Sequence, residues 1–563
     1  MKDKWDGLPL YDRPLGSKTD GVDDGRPVVT ITDFSACQPA DALAEWSLVD
    51  YETDDFSGKL LHAGKMGFAA TAPPELTLDL NVSGYYAVYV WLMGGDSAVQ
   101  KYRPHYDSVH SLSNGPALRL SDDKYPGVLF RTLSHDLMFW PGAEACFWKY
   151  ADLTDQKLHI SYQGSTVHLA AIQLVPLSPT EVEAIQKDRA SAANKRLIIK
   201  GDTYDAASIR LFHDLIKETD VFAWIAGCND TADLLAPGGC ESLKRFREDM
   251  TELGVEAYVC ERIGLWSGHT FRNDQRFLDF DKHPEWHCRD RDGADTHQAS
   301  YAHPEVQEYM LQRARAAAET GIDGYGYLFC RDPGLILFEP IAMEGFEEKH
   351  GVDPCTLNDR DDRLLDWRAD IITDYLRRLR KLLDDVAEEK GFDRIKIVHV
   401  VLGDEAANRF FSFDVPTWVK EGLVDVLCPY PWADYPDRWL SQGFVDVDVK
   451  YFTSLVKGTD CKVYPMWLTA QPGTYMWSPE NVRTNEYFKK AMKDYADGAD
   501  GISTWDFMCA QLFYPFKADR WLRLGHKEQL SEWQANDFPL PPKLRFTKYA
   551  GKTPDRYPPG TGG

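Results

Sequence analysis

The sequence predicts an α/β protein: a (β/α)8 TIM barrel preceded by an antiparallel β-sandwich domain. Three observations predict it. From residue 196 to about 525, short apolar runs alternate with amphipathic helical stretches in eight units, the count and size of such a barrel. Residues 28–178 instead show short period-two segments rich in β-branched and aromatic residues, with little helical periodicity. The competing doubly wound sheet lacks support, since nothing resembling GxGxxG follows the first strand of the second half. At 563 residues the chain also exceeds one ordinary domain.

In chain order, residues 1–27 are rich in Gly, Pro and Asp and form an arm. The sandwich, residues 28–178, contains VVTITDF, LTLDLNVSGYYAVYVWLMGG, PALRLSDD, KLHISYQG and VHLAAIQLVPL, and looks like the sugar-binding accessory domains of glycoside hydrolases. The barrel, residues 179–525, opens with a Glu, Lys and Ala-rich helical connector up to residue 195. Its strands are expected at 196–201, 221–226, 255–260, 324–330, 395–402, 424–428, 462–468 and 500–505. Helical patterns follow at 205–217, 240–253, 304–320, 365–389, 415–421, 446–456, 480–496 and 517–524. The last segment, 526–563, is a Pro, Gly and Lys-rich tail expected to wrap the surface.

Composition narrows the partners. With 63 basic against 88 acidic residues the chain carries a formal charge of −25, which repels nucleic acid and anionic membrane. Carbohydrate is the expected partner, and self-association is left open. The 11 Cys are scattered without CxxC or Cys/His ligand spacing, so they read as buried thiols of a reducing, cytoplasmic compartment. The N-terminus has no apolar leader core, and no segment is long and apolar enough to span a bilayer. Four His (269, 283, 287 and 297) share a loop region with Asp279, Asp281, Asp290 and Asp292, but no HxH or HExxH pairing occurs. No metal or other cofactor is expected.

In a barrel of this kind the chemistry sits at the C-terminal ends of the strands. The stretch GIDGYGYLFCRDP, Gly321 to Pro333, delivers Arg331 and Asp332 there, while Asp323 falls at the opposite end as a turn residue. The other strand ends offer Glu261 and Arg262, then Trp266 and His269 on the following loop, Asp404 and Glu405, Trp432, Trp467, and Trp505 with Asp506. Carboxylates for proton transfer beside Trp faces for sugar rings suit carbohydrate chemistry. Each also has a structural reading: Arg331–Asp332 as a loop-fixing ion pair, Asp404 and Glu405 as caps of the helix that GDEAAN begins, and any Trp as core.

The ordered series HPEW (283–286), SYAHPEVQEYML (300–311), GIDGYGYLFCRDP, DVPTWVKEGLVDVLCP (414–429) and GADGI (498–502) resembles the family-10-like glycoside hydrolase group, uncharacterised barrel hydrolases, across roughly residues 195–525. Relatives read DG-x-x-x-D-F-x-R-x-P at the fourth strand. Asp323, Gly324, Arg331 and Pro333 match, while Leu328 stands where the group has a carboxylate.

The expected function is hydrolysis of an oligosaccharide or glycoside by a pair of carboxylates. Asp332 is the general acid, and Asp404 or Glu405 the base or nucleophile. Glu261, Arg262, His269, Arg331 and Asp506 contact the sugar, and Trp266, Trp432, Trp467 and Trp505 form the walls. Glu261 with Asp506 is the next pair in line. The rivals are a non-catalytic carbohydrate-binding protein, suggested by Leu328, and a metal-dependent sugar isomerase or lyase.

Overall fold

The structure is a computed structural model that describes residues 25–63, 72–93, 116–128, 142–162, 167–201, 213–228, 234–265, 282–331, 333–431, 447–468, 484–505, 523–535 and 543–553. Of the sequence-derived site residues, Trp266, His269, Asp332, Trp432 and Asp506 lie outside these. No described helix is long and apolar enough to cross a membrane. No disulfide joins the cysteines whose side chains are described.

The N-terminal half builds two antiparallel sheets. Val29–Ile31, Ser47–Glu52, Ser57–Ala63, Tyr85–Met93, Gly142–Asp152 and Val167–Pro176 share one, and Leu76–Asp79, Ala117–Leu120, Gly127–Val128 and Lys157–Ser161 the other. Their alternation has a structural cause. Successive side chains of a strand point to opposite faces, so Leu76, Leu78, Leu118, Leu158 and Ile160 from the smaller sheet join Val88, Val90, Leu92, Leu169 and Leu174 from the larger in one buried cluster.

Part of the tail, expected to wrap the surface, joins the larger sheet. Lys543–Arg545 pairs antiparallel with Gly142–Glu144 at one edge of the larger sheet, and Lys548–Tyr549 pairs with Tyr51–Glu52 at the other. Between them Phe546, wholly buried, stacks on Tyr51 with ring centroids 4.5 Å apart. These strand pairs cover part of each edge strand, Gly142–Glu144 on one side and Tyr51–Glu52 on the other, whose backbone groups would otherwise be open to pairing with another chain.

The second half is a parallel sheet in the order Lys462–Val463, Val426–Leu427, Lys396–Val400, Gly324–Leu328, Glu256–Arg262, Val221–Cys228, Leu197–Gly201, Ile502–Trp505, Met466–Leu468. All of these fall on the runs expected from sequence, two of them ending two residues later. The first and last members are consecutive pieces of one segment, 462–468, and the break falls at Tyr464-Pro465, where proline lacks an N–H for the ladder. Tyr464 N donates to Leu427 O (2.8 Å), and Ser503 N donates to Pro465 O (3.0 Å), so the sheet is curled and its first and last members belong to that one segment.

Helices cover the outer face. Glu241–Leu253, Pro304–Ala318, Asp362–Lys390, Val415–Lys420, Val449–Leu455 and Thr484–Ala496 match expected helical patterns. Of the pattern at 205–217 only His213–Lys217 is described, and most of 517–524 lies outside the described residues. The longest helix, Asp362–Lys390, starts where the Asp361 side chain accepts from Arg363 N and stops at Gly391 in the left-handed region (φ 69°). The fourth run shows how the sheet divides. Tyr327 and Phe329 turn outward onto Tyr375 and Trp418 of the helices. On the inner face Gly324 and Gly326 make room for neighbours, since a Cβ on Gly326 would lie 1.6 Å from Val398 O.

Candidate functional site at the strand ends

Because residue faces alternate, the register decides which side chains enter the inside of the curl. Lys200 and Arg262 lie on the same face as Gly326 and Leu328 by their cross-strand pairing. Lys200 is completely buried, with Nζ 3.7 Å from the ring centroid of Trp505. The Arg331 guanidinium carbon lies 4.4 Å from the same centroid and 5.6 Å from that of Tyr430. Tyr430 meets Trp505 edge-on at 4.8 Å. Cations over aromatic faces gain roughly 0.5–2 kcal/mol each, more when desolvated.

Arg262 belongs to the same electrostatic group. Burial pushes the Cys330 thiol up to about 11, against the pull of the Arg331, Lys200 and Arg262 charges. Cys428 is pushed up to about 12, again by burial. Both sulfurs therefore stay protonated near neutral pH and are not nucleophiles. What the cluster can do is hold oxygen-rich or negatively charged groups with cationic donors against an aromatic surface. Asp332 and Asp506 directly follow Arg331 and Trp505 in the chain.

Two assignments need correction. Glu261 points away from the inner face: Arg313 of the helix Pro304–Ala318 donates to its Oε2 from Nε (2.8 Å) and Nη2 (2.6 Å), and the Tyr325 hydroxyl donates to Oε1 (2.6 Å). It pins a helix to the sheet and is not placed to touch a sugar. Glu261 with Asp506 therefore ceases to be a reserve catalytic pair. Trp467 also faces outward, donating from Nε1 to Asp494 (2.8 Å) of the helix Thr484–Ala496, and is no wall of the site. The cause is shared: a one-residue step along a strand reverses the face, and strand-end position alone does not say which face a residue takes. Trp505 does reach the inner cluster, but at 4% exposure it is packed there and is no open platform.

Asp404 takes the capping role that its sequence context also allowed. Its Oδ1 accepts from Ala407 N (2.7 Å) at the start of the helix Glu405–Phe410, and Asn408 Nδ2 ties the turn by donating to Leu402 O (2.9 Å) and Asp404 O (2.7 Å). Glu405, first in that helix, is exposed. Lys200 was missed, although RLIIKG carried the signal: a lysine inside an apolar strand must bury its ammonium somewhere specific.

No family model matches the chain, and no curated protein matches it. Solved structures similar to parts of it include the α-L-fucosidase isoenzyme 2 from Paenibacillus thiaminolyticus, at 13% identity over 61% of this chain, with a TM-score of 0.38. This chain spans 50% of that fucosidase's length. The β-amylase catalytic domain from Paenibacillus polymyxa aligns at 10% identity over 61% of this chain and 99% of its own, with a TM-score of 0.41. An α-galactosidase from Thermus thermophilus aligns at 12% over 85% and 95%, with a TM-score of 0.36.

Proposed function

We propose that the protein is a glycoside hydrolase on a closed (β/α)8 barrel, with the two antiparallel sheets forming an accessory β-sandwich. The observation that carries the reading is the convergence of Lys200, Arg262, Arg331, Tyr430 and Trp505 at the C-terminal ends of parallel strands. Burying a lysine ammonium is costly, and a fold keeps such a group at a strand end where it binds or polarises something.

In this reading Asp332 protonates the leaving oxygen, and a carboxylate after the fifth strand activates water or attacks the anomeric carbon. Glu405 is the better of the two partners offered there, because Asp404 already commits Oδ1 to the helix cap. Arg331 and Arg262 hold sugar hydroxyls, with the wholly buried Lys200 behind them. Oligosaccharides or simple glycosides are the substrate class.

One observation favours a second reading. Glu261 and Asp404 are both engaged in holding the fold, which removes two carboxylates from the strand-end set and suits a carbohydrate-binding protein without catalysis. Incubation with a panel of aryl glycosides, beside calorimetric titration with the parent sugars, separates the two. Release of aryl alcohol supports hydrolysis, whereas binding with no release supports the second reading. Neither release nor binding rejects both.

A further inference from the structure

A hairpin follows the third parallel strand on the C-terminal side, formed by His287–Arg289 and Asp295–Ala299. It is fastened to the scaffold, since Ala299 N donates to Leu265 O (2.8 Å), Phe338 N to Arg289 O (2.9 Å) and Arg289 N to Glu339 Oε2 (3.2 Å). His287 pairs with Ala299 and Arg289 with Asp295, with an irregularity between the two pairs. Within it His297 adopts a left-handed backbone (φ 59°), so the pleat is interrupted and His297 is turned to the side of His287.

The result is a set of donors that simple spacing does not reveal. His287 Nδ1 is 3.0 Å from both carboxylate oxygens of Asp295, and His297 Nδ1 is 3.8 Å from Oδ1. One donor atom from each of the three residues lies within 4.8 Å of the other two. A metal with bonds of about 2.0–2.2 Å holds neighbouring ligand atoms roughly 3–4 Å apart, so small side-chain rotations close this set on one ion. His287 is buried, Asp295 partly exposed and His297 open, so the remaining coordination positions face solvent. Arg289 Nη1, 3.4 Å from Asp295 Oδ2, lies on one side of the carboxylate and leaves Oδ1 toward His297.

We propose that His287, Asp295 and His297 form a binding site for one divalent cation of the zinc class. Two imidazoles with one carboxylate suit zinc and its transition-metal neighbours, whereas calcium and magnesium demand an all-oxygen shell. The ion would tie the two strands of the hairpin to each other, His287 from one and Asp295 with His297 from the other. The proposal stands apart from the hydrolase reading, and it opposes the expectation of a metal-free protein drawn from motif spacing.

The test uses the full-length protein stripped with EDTA and titrated with zinc sulfate by calorimetry, with magnesium and calcium chloride as controls and thermal unfolding in parallel. One zinc per chain is expected, with a rise in melting temperature that magnesium and calcium do not produce. Removing the exposed ligand in His297→Ala should weaken zinc binding by at least about 100-fold, more than the loss of an outer-shell partner. Asp295→Asn should do the same, with far-ultraviolet circular dichroism unchanged in both. Absence of zinc binding overturns the proposal. So does zinc binding that neither variant weakens, which would place the ion elsewhere.

Discussion

His526 is held at both ring nitrogens by carboxylates: Nδ1 lies 2.7 Å from Asp220 and Nε2 2.6 Å from Asp188. Two acceptors require two N–H donors, so the ring is an imidazolium. It joins the helix Pro179–Arg189, the start of the second parallel strand and the C-terminal segment, with Arg523 Nη1 donating to Asp188 Oδ2 (2.7 Å) beside it. Burial lowers the tendency of His526 to carry charge, but the bonds to Asp188 and Asp220 outweigh it and leave its pKa raised. Asp220 itself is pushed up to about 6 by burial.

The sign of the pH effect follows. A histidine whose folded pKa exceeds its unfolded value of about 6.5 contributes all of its stabilisation below that value and loses it as pH rises through the folded pKa. His526→Gln removes the charge and one of the ring's two N–H donors, which serve Asp188 and the buried Asp220, and breaking a buried ion pair from one side costs roughly 3–5 kcal/mol. For a unit of this size that lowers the melting temperature on the order of 10 °C. The assay is scanning calorimetry of both proteins from pH 5.5 to 9. The gap between them should shrink as pH rises from the unfolded value of about 6.5 through the raised folded pKa of His526, where the wild-type imidazolium titrates. A gap constant across pH, or under about 1 kcal/mol at pH 6, would refute the ionic latch.

Three further outcomes test the architecture. Glu261→Ala strips Arg313 and Tyr325 of their shared acceptor, so chemical denaturation should show a loss of roughly 3–5 kcal/mol; turnover of the surviving folded protein should stay within a few-fold, because Glu261 faces the helices. Gly326→Ala places a methyl 1.6 Å from Val398 O, and soluble expression should collapse, whereas Gly351→Ala, with nothing within 4 Å, should express normally despite its φ of 67°. Phe546→Ala removes the buried ring stacked on Tyr51, and the melting curve should register a loss of roughly 3–5 kcal/mol, showing that the C-terminal residues stabilise the N-terminal sheet.

The order of elements was legible because it is local. Period-two alternation and strand–helix rhythm are written in neighbouring residues, and each parallel strand falls on its expected run. What was not legible depends on pairing between distant segments. The strands at Lys543–Arg545 and Lys548–Tyr549 are short, sit in Pro-rich and Lys-rich sequence, and become strands by pairing with part of each edge of the larger sheet. Glu261 and Trp467 stand at strand ends as read, but the face each takes is set by register across the sheet. Lys200 was hidden for the opposite reason, as a single charge within an apolar run. His287, Asp295 and His297 meet only through the irregular hairpin, which no HxH spacing announces.

Glycoside hydrolysis with Asp332 as the acid is decided by turnover of Asp332→Asn on paired substrates. One substrate carries an activated aryl leaving group, and the other is the matching unactivated glycoside. A general acid matters most where the leaving group needs a proton. Asp332→Asn should lose at least about a hundredfold on the unactivated substrate and much less on the activated one, with unfolding unchanged. Near-normal turnover of both substrates by the variant, or no hydrolysis of either by the wild-type protein, would contradict this reading.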